Sequence, residues 1–139
     1  VRRLAALPGV TVTGAVPDVR PFLERAGVAV APLELARGVQ NKALEALAMS
    51  TPAIVSTAVS RGIDGAAGDG FLVADGPGDV AAAVLEVLGN ADSASELGRR
   101  GRILVERRYS WERAVARLET LLAEASAAAG NRRSSVATA

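Results

Sequence analysis

Short, continuously apolar or β-branched runs recur along the chain, each beside a turn residue. Residues 10–13 (VTVT) end at Gly14, and residues 28–31 (VAVA) end at Pro32. Residues 53–57 (AIVST) follow Pro52, and residues 71–74 (FLVA) follow Gly70. Runs this short, without polar alternation, predict strands buried on both faces, as in a parallel sheet. Helix-period segments lie between them. Residues 21–26 (PFLERA) open on a helix-initiating Pro and stop at Gly27. Residues 41–49 (NKALEALAM) are strong helix formers after Asn41, ended by Pro52. Residues 79–88 (DVAAAVLEVL) place Val80, Val84, Val87 and Leu88 on one face. Strands alternating with helices predict βαβ units with right-handed crossovers.

From about Ala94 the strands give way to helices. Residues 94–108 read as a basic helix, and Ser110 is placed to cap another that begins at Trp111. On that last helix Trp111, Ala114, Val115, Leu118, Leu122 and Ala125 recur at three- and four-residue steps, predicting a buried stripe. The chain therefore reads as α/β: an incomplete Rossmann-like parallel sheet of about four strands, flanked by helices, with a C-terminal helical tail. Residues 1–129 are assigned to this partial domain and residues 130–139 (GNRRSSVATA) to a disordered tail. A first βαβ unit has no counterpart, and VRRLAAL reads as the end of a helix, so the chain is expected to begin mid-domain.

Composition narrows the chemistry. The 139 residues contain no Cys and no His, which excludes disulfides, Cys/His zinc sites and His-dependent hydrolytic triads. Catalysis would rest on carboxylates, amides, Lys, Arg and backbone dipoles. With net charge +1 and 3% aromatic residues, neither a nucleic-acid field nor a stacking platform is indicated. No G-x-G-x-x-G follows a strand. No apolar run reaches the roughly 20 residues needed to span a bilayer, and no signal peptide is read at the start. A cytoplasmic location is expected.

The stretch APLELARGVQNKALEALAMSTPAIV is the most informative. A strand ends at Pro32, a loop carries Arg37, Gly38 and Gln40, and a helix opens at Asn41-Lys42 with Glu45 one turn in. Ligands of open α/β sheets bind beyond the carboxyl ends of strands, where a helix N-terminus offers free N–H groups to phosphate. Gly38 allows close backbone approach, and Glu45 shares a helix face with Asn41. A carboxylate there can accept both hydroxyls of a ribose. The plainer reading of Lys42 and Glu45 is a solvated charge pair.

Taken whole, NKALEALAMSTPAIVS resembles the EAMA-x-G-x-PVV motif of the retaining, nucleotide-sugar-dependent glycosyltransferases of family four. TVTGAVPDVRPFLERAGVAVAPL, GDGFLVADGPGDVAAAVLEVL and YSWERAVARLETLL resemble, in order, the family's flanking segments. The likeness runs from Val10 to Leu122, and RGVQNKALEALAM looks most like a bacterial exopolysaccharide and cell-surface-glycan branch. It implies the C-terminal, donor-binding domain of a two-Rossmann-domain (GT-B) enzyme that transfers a hexose from a UDP- or GDP-sugar to a glycan or lipid-linked acceptor, without a bound metal or other cofactor. The family's hallmark is a pair of glutamates. Glu45 matches the second, which holds the ribose. The first position, eight residues earlier, is Arg37, so no catalytic residue is assigned, and Arg37 is counted among the donor-binding residues as a cation for a phosphate or a carboxylated sugar. Gly38, Val39 and Gln40 match the loop approaching the donor sugar and diphosphate, Asn41 and Lys42 the helix-opening contacts, and Val16 and Pro17 the nucleobase-side turn. No counterpart of the family's acceptor domain is read in these residues, so this chain alone is expected to bind donor weakly and transfer nothing.

The basic run at residues 99–108 (RRGRILVERR) invites two readings, peripheral contact with anionic lipid at the inner membrane face or a solvated helix face; the second is preferred. Two other functional classes remain open. One is a non-catalytic nucleotide or sugar-nucleotide binding module, which Arg37 favours. The other is a flavodoxin-like partner-binding domain, made less attractive by the lack of an acidic cluster after a first strand.

Overall fold

A computed structural model describes residues 3–136, with side chains through residue 126. Among these residues a parallel sheet has the order β1 (Ala29–Ala31), β2 (Ala53–Val55), β3 (Phe71–Val73). Ala29 pairs with Ala53 and Ala53 with Phe71, so the three strands run in step. Every residue of β2 is buried, as a central parallel strand with helices on both faces requires.

Residues 10–13 do not form the expected strand. Val10 and Val12 are each about two-fifths exposed, and no strand pairs with them among the described residues. β-branched composition favours an extended chain, but a strand needs a hydrogen-bonded neighbour, and β1 pairs only with β2. The described sheet therefore has three strands.

Helices fill the connections. A 3₁₀ turn covers Leu4–Ala6. α1 (Arg20–Arg25) has Pro21 in its first turn, and the Asp18 carboxylate accepts the Arg20 N–H at 2.9 Å while pairing with the Arg20 guanidinium. α2 (Asn41–Ala48) buries Ala43, Ala46 and Leu47. It ends with Ser50 at φ 58°, where Thr51 N–H reaches the Ala46 carbonyl and Ser50 N–H that of Leu47, a Schellman ending with Ser where Gly is commoner. Thr51 is buried and its hydroxyl donates to the Leu23 carbonyl at 2.8 Å, tying α1 to the start of β2.

The short helix α3 (Thr57–Ser60) follows β2 at once, capped by the Ser56 hydroxyl, which accepts from Val59 N–H. α4 (Gly76–Gly89) buries Val87, half-buries Val80 and Val84, and leaves Leu88 exposed. α5 (Ala91–Arg108) is capped by the Asn90 side chain and lies across α2. Small residues set that approach: a Cβ on Gly98 would fall 2.0 Å from the Ser50 carbonyl oxygen, and one on Gly70 would fall 2.1 Å from the Gly101 Cα. Phe71, Leu47, Val55, Val59, Ile63 and Leu104 form the centre of the core around this contact.

α6 (Trp111–Val136) begins as expected, with Ser110 Oγ accepting the Arg113 N–H. Its apolar stripe is not buried. Trp111 is 83% exposed, and Val115, Leu118 and Leu122 are exposed as well. Helical periodicity places these side chains on one face, but no described element packs on that face. The α6 backbone is recorded to Val136; the expected tail at residues 130–139 otherwise falls outside the described residues.

Candidate functional site

The carboxyl ends of the three strands open onto one edge of the sheet. Three segments meet there: the loop at residues 32–40 after β1, Ser56-Thr57 after β2, and Ala74-Asp75 after β3. They are tied to each other. The Ser56 hydroxyl donates to the Leu33 carbonyl. Thr57 donates its N–H to one Asp75 oxygen at 3.0 Å and its hydroxyl to the other. The Asp75 carboxyl is consequently held below the usual carboxylate range, first by the Thr57 hydroxyl and then by the Thr57 N–H, with the charge of Arg61 adding a smaller share.

Arg37, Gly38, Val39 and Gln40 lie on the first of these segments, and Asn41 and Lys42 follow it at the start of α2. Gly38 takes φ 64°, a left-handed turn that glycine adopts at no steric cost. Gln40 occupies the N-cap of α2, but its side chain caps nothing there; its amide instead donates to the Arg37 carbonyl at 3.2 Å. The Gln40 carbonyl accepts from Ala43 and Leu44 N–H. The N–H groups of Asn41 and Lys42 have no acceptor among the described residues, so the positive end of α2 faces outward uncapped. Arg37, Val39, Asn41 and Lys42 are exposed.

Beside this turn lies an open hollow of about 280 Å³. Glu34, Leu35, Ala36, Gly38, Arg61 and Gly62 line it. Of the expected donor-binding residues, only Gly38 belongs to that lining. Glu45 projects from the solvent side of α2, opposite the Ala43, Ala46 and Leu47 stripe, and is exposed without a hydrogen bond or ion pair among the described residues. Val16 and Pro17 lie in the turn before α1, Val16 half-buried and Pro17 exposed. The sheet edge thus brings Arg37 through Lys42 together at the helix mouth, whereas Glu45 and the Val16-Pro17 turn stand outside the hollow.

Arg61 and the Thr57–Asp75 tie were not anticipated from sequence. The Ser-Thr pair closing the β2 run is the local signal: a hydroxyl residue before a helical turn is a cap, and it places whatever follows α3 at the same edge. A second depression, formed by Asp69, Arg100, Arg107 and Arg108, lies beside the loop entering β3 and so at the amino end of that strand. It is away from the edge where open α/β sheets bind ligands. Most of the basic run of α5 is paired with acids: Arg99 and Arg100 with Glu96 and Arg102 with Glu106 within the helix, and Arg108 with Asp64 outside it at 3.7 Å. No helix among the described residues is long and apolar enough to cross a membrane.

A parallel sheet with helices on its faces and an uncapped helix N-terminus at its carboxyl edge defines an α/β protein of the Rossmann-like class. The chain belongs to the glycosyl transferases group 1 family, whose model matches residues 1–90. The match includes β1, the Gly38 turn, α2 and the whole sheet. No curated protein and no solved structure matches it.

Proposed function

We propose that this chain supplies the donor-binding half of a retaining glycosyltransferase that moves a hexosyl group from a UDP- or GDP-sugar to a glycan or lipid-linked acceptor in the assembly of exopolysaccharide or another surface glycan. One observation carries the reading: the unsatisfied Asn41 and Lys42 N–H groups open α2 at the carboxyl edge of the sheet, directly after the left-handed Gly38 turn. That arrangement suits a diphosphate. Gly38, Val39 and Gln40 bring backbone close to the donor sugar and diphosphate, and Asn41 and Lys42 add side-chain contacts. Glu45 reaches the ribose hydroxyls from the flank of α2, and Val16-Pro17 lies on the nucleobase side. The leaving diphosphate is stabilised electrostatically as the sugar centre becomes cationic, with no metal called for. Arg37 stands where the resemblance puts a carboxylate, and no other carboxylate is assigned to that role. The enzyme works in the cytoplasm, at or near the inner face of the membrane that carries its acceptor.

A second reading, a nucleotide-binding module that transfers nothing, is favoured by Arg37 and by the solvent-facing position of Glu45. Thermal shift and calorimetry with UDP, GDP and ADP test the site itself. The expected result is saturable binding of one diphosphate nucleotide, weakened at least tenfold by Glu45→Ala, the scale of a lost hydrogen-bond pair to a charged group. Equal binding by wild type and variant removes Glu45 from the site.

A further inference from the structure

Building on the donor-site reading above, we propose that Arg61 is the cation that receives the anionic oxygens of the donor in the hollow beside Gly38, with the diphosphate as its ligand. Arg61 follows α3 immediately and shares the lining of that hollow with Gly38 and Glu34. Its backbone is positioned by an unusually close approach. A Cβ on Gly62 would lie 2.3 Å from the Gly38 carbonyl oxygen and 2.9 Å from its carbon, so the turn after α3 is set directly against the turn before α2. Two segments far apart in sequence thus meet with no side chain between them, and the guanidinium stem departs from that junction.

Arg61 makes no direct ion pair, although its charge acts on Asp75 from a distance. No carboxylate pairs with it within 4.0 Å among the described residues. Asp75, the acid whose field it shares, has both oxygens engaged by Thr57, and Glu34, on the same lining, forms no ion pair with it among the described residues. An exposed cation at the rim of a polar hollow, set against the Gly38 turn that leads into α2, presents positive potential to a ligand there. A guanidinium offers paired N–H donors that match phosphate oxygens. Arg37, although adjacent to Gly38 in sequence, is not part of the lining.

An anionic oxygen group at this position could belong to the diphosphate or to a carboxylated sugar. Calorimetric titration of the 139-residue chain with uridine, UMP, UDP, UDP-glucose and UDP-glucuronate, and with the guanosine series, distinguishes the two. Arg61→Gln is expected to weaken UDP or GDP roughly tenfold or more while leaving the nucleoside unchanged, and Arg61→Lys to recover part of the loss. Glu34→Gln, which removes the one acid of the lining, is expected to tighten the diphosphate. Arg61→Gln binding within twofold of wild type would overturn the assignment and leave the donor site standing. Equal losses for nucleoside and diphosphate would also overturn it, by showing a structural role. A loss confined to UDP-glucuronate would reassign the cation to the sugar and overturn the diphosphate as its ligand. Absence of saturable binding by the wild-type chain would remove both this inference and the donor-site reading beneath it.

Discussion

α5 and α6 are both long helices near the end of the chain, yet only α5 is packed into the protein. α5 lays Gly98, Gly101 and Leu104 on α2 and the sheet, whereas α6 leaves Trp111, Val115, Leu118 and Leu122 in solvent. The bulkier apolar face is the one that is not buried. Burial depends on a complementary surface at the right distance, and α5 obtains one because glycine lets two backbones close to within a few ångströms. α6 rests on its cap, its intrahelical hydrogen bonds and the propensity of its Ala, Leu, Glu and Arg residues.

This contrast makes sharp predictions. Leu47→Ala empties the contact between α2 and α5, where Leu47 is wholly buried, and should cost about 2–5 kcal/mol. Leu118→Ala, in the same chemistry but on α6, should change stability by less than about 0.5 kcal/mol. Denaturant melts of the two variants test the pair, and similar losses would mean that α6 is packed after all. Ser110→Ala removes the acceptor of the Arg113 N–H and should cost α6 about 1 kcal/mol of helix stability. Hydrogen exchange would show faster opening at the start of α6 with amides of β2 unaffected; a matching change in β2 would couple the two regions.

The smallest effect concerns pH. The two arginines beside Glu96, Arg99 first and then Arg100, lower its pKa from 4.5 to about 2. A carboxylate with a folded pKa below its unfolded value stabilises the fold at neutral pH and loses that contribution as acid protonates it. Helicity of α5 should therefore hold from pH 7 to about 5 and weaken between 4.5 and about 2. The loss should be slight and salt-sensitive, because these side chains are mostly in solvent. Circular dichroism of wild type and Glu96→Gln, at low and high salt, checks this; identical acid profiles would remove the pairing from any role in α5.

Where local chemistry and tertiary contact agreed, the sequence was readable. Pro52 and Gly70 marked β2 and β3, Asn41 opened α2, and Ser110 capped α6. Local pattern failed where the outcome depended on what lies opposite. VTVT carries the stronger strand preference, yet only VAVA has β2 beside it. The stripe on α6 has the right period and no surface to meet. At the site, the helix mouth was legible because Gly38, Gln40 and Asn41 act through nearby backbone. Arg61 was not, because its position depends on Gly62 touching Gly38 across more than twenty residues of chain. The side on which Glu45 emerges was likewise decided by which residues of α2 the sheet and α5 bury.

One feature of the sheet bears on how the protein behaves at high concentration. β1 is paired on one side only among the described residues, and Val30 at its middle is 43% exposed. Such a border offers main-chain donors and acceptors to any extended segment that comes alongside, including one from another molecule. The strand is three residues long and gives way to Pro32, whose nitrogen has no hydrogen to donate. Brevity and that imino acid act as a built-in stop, limiting edge-to-edge self-association to a contact too short to propagate.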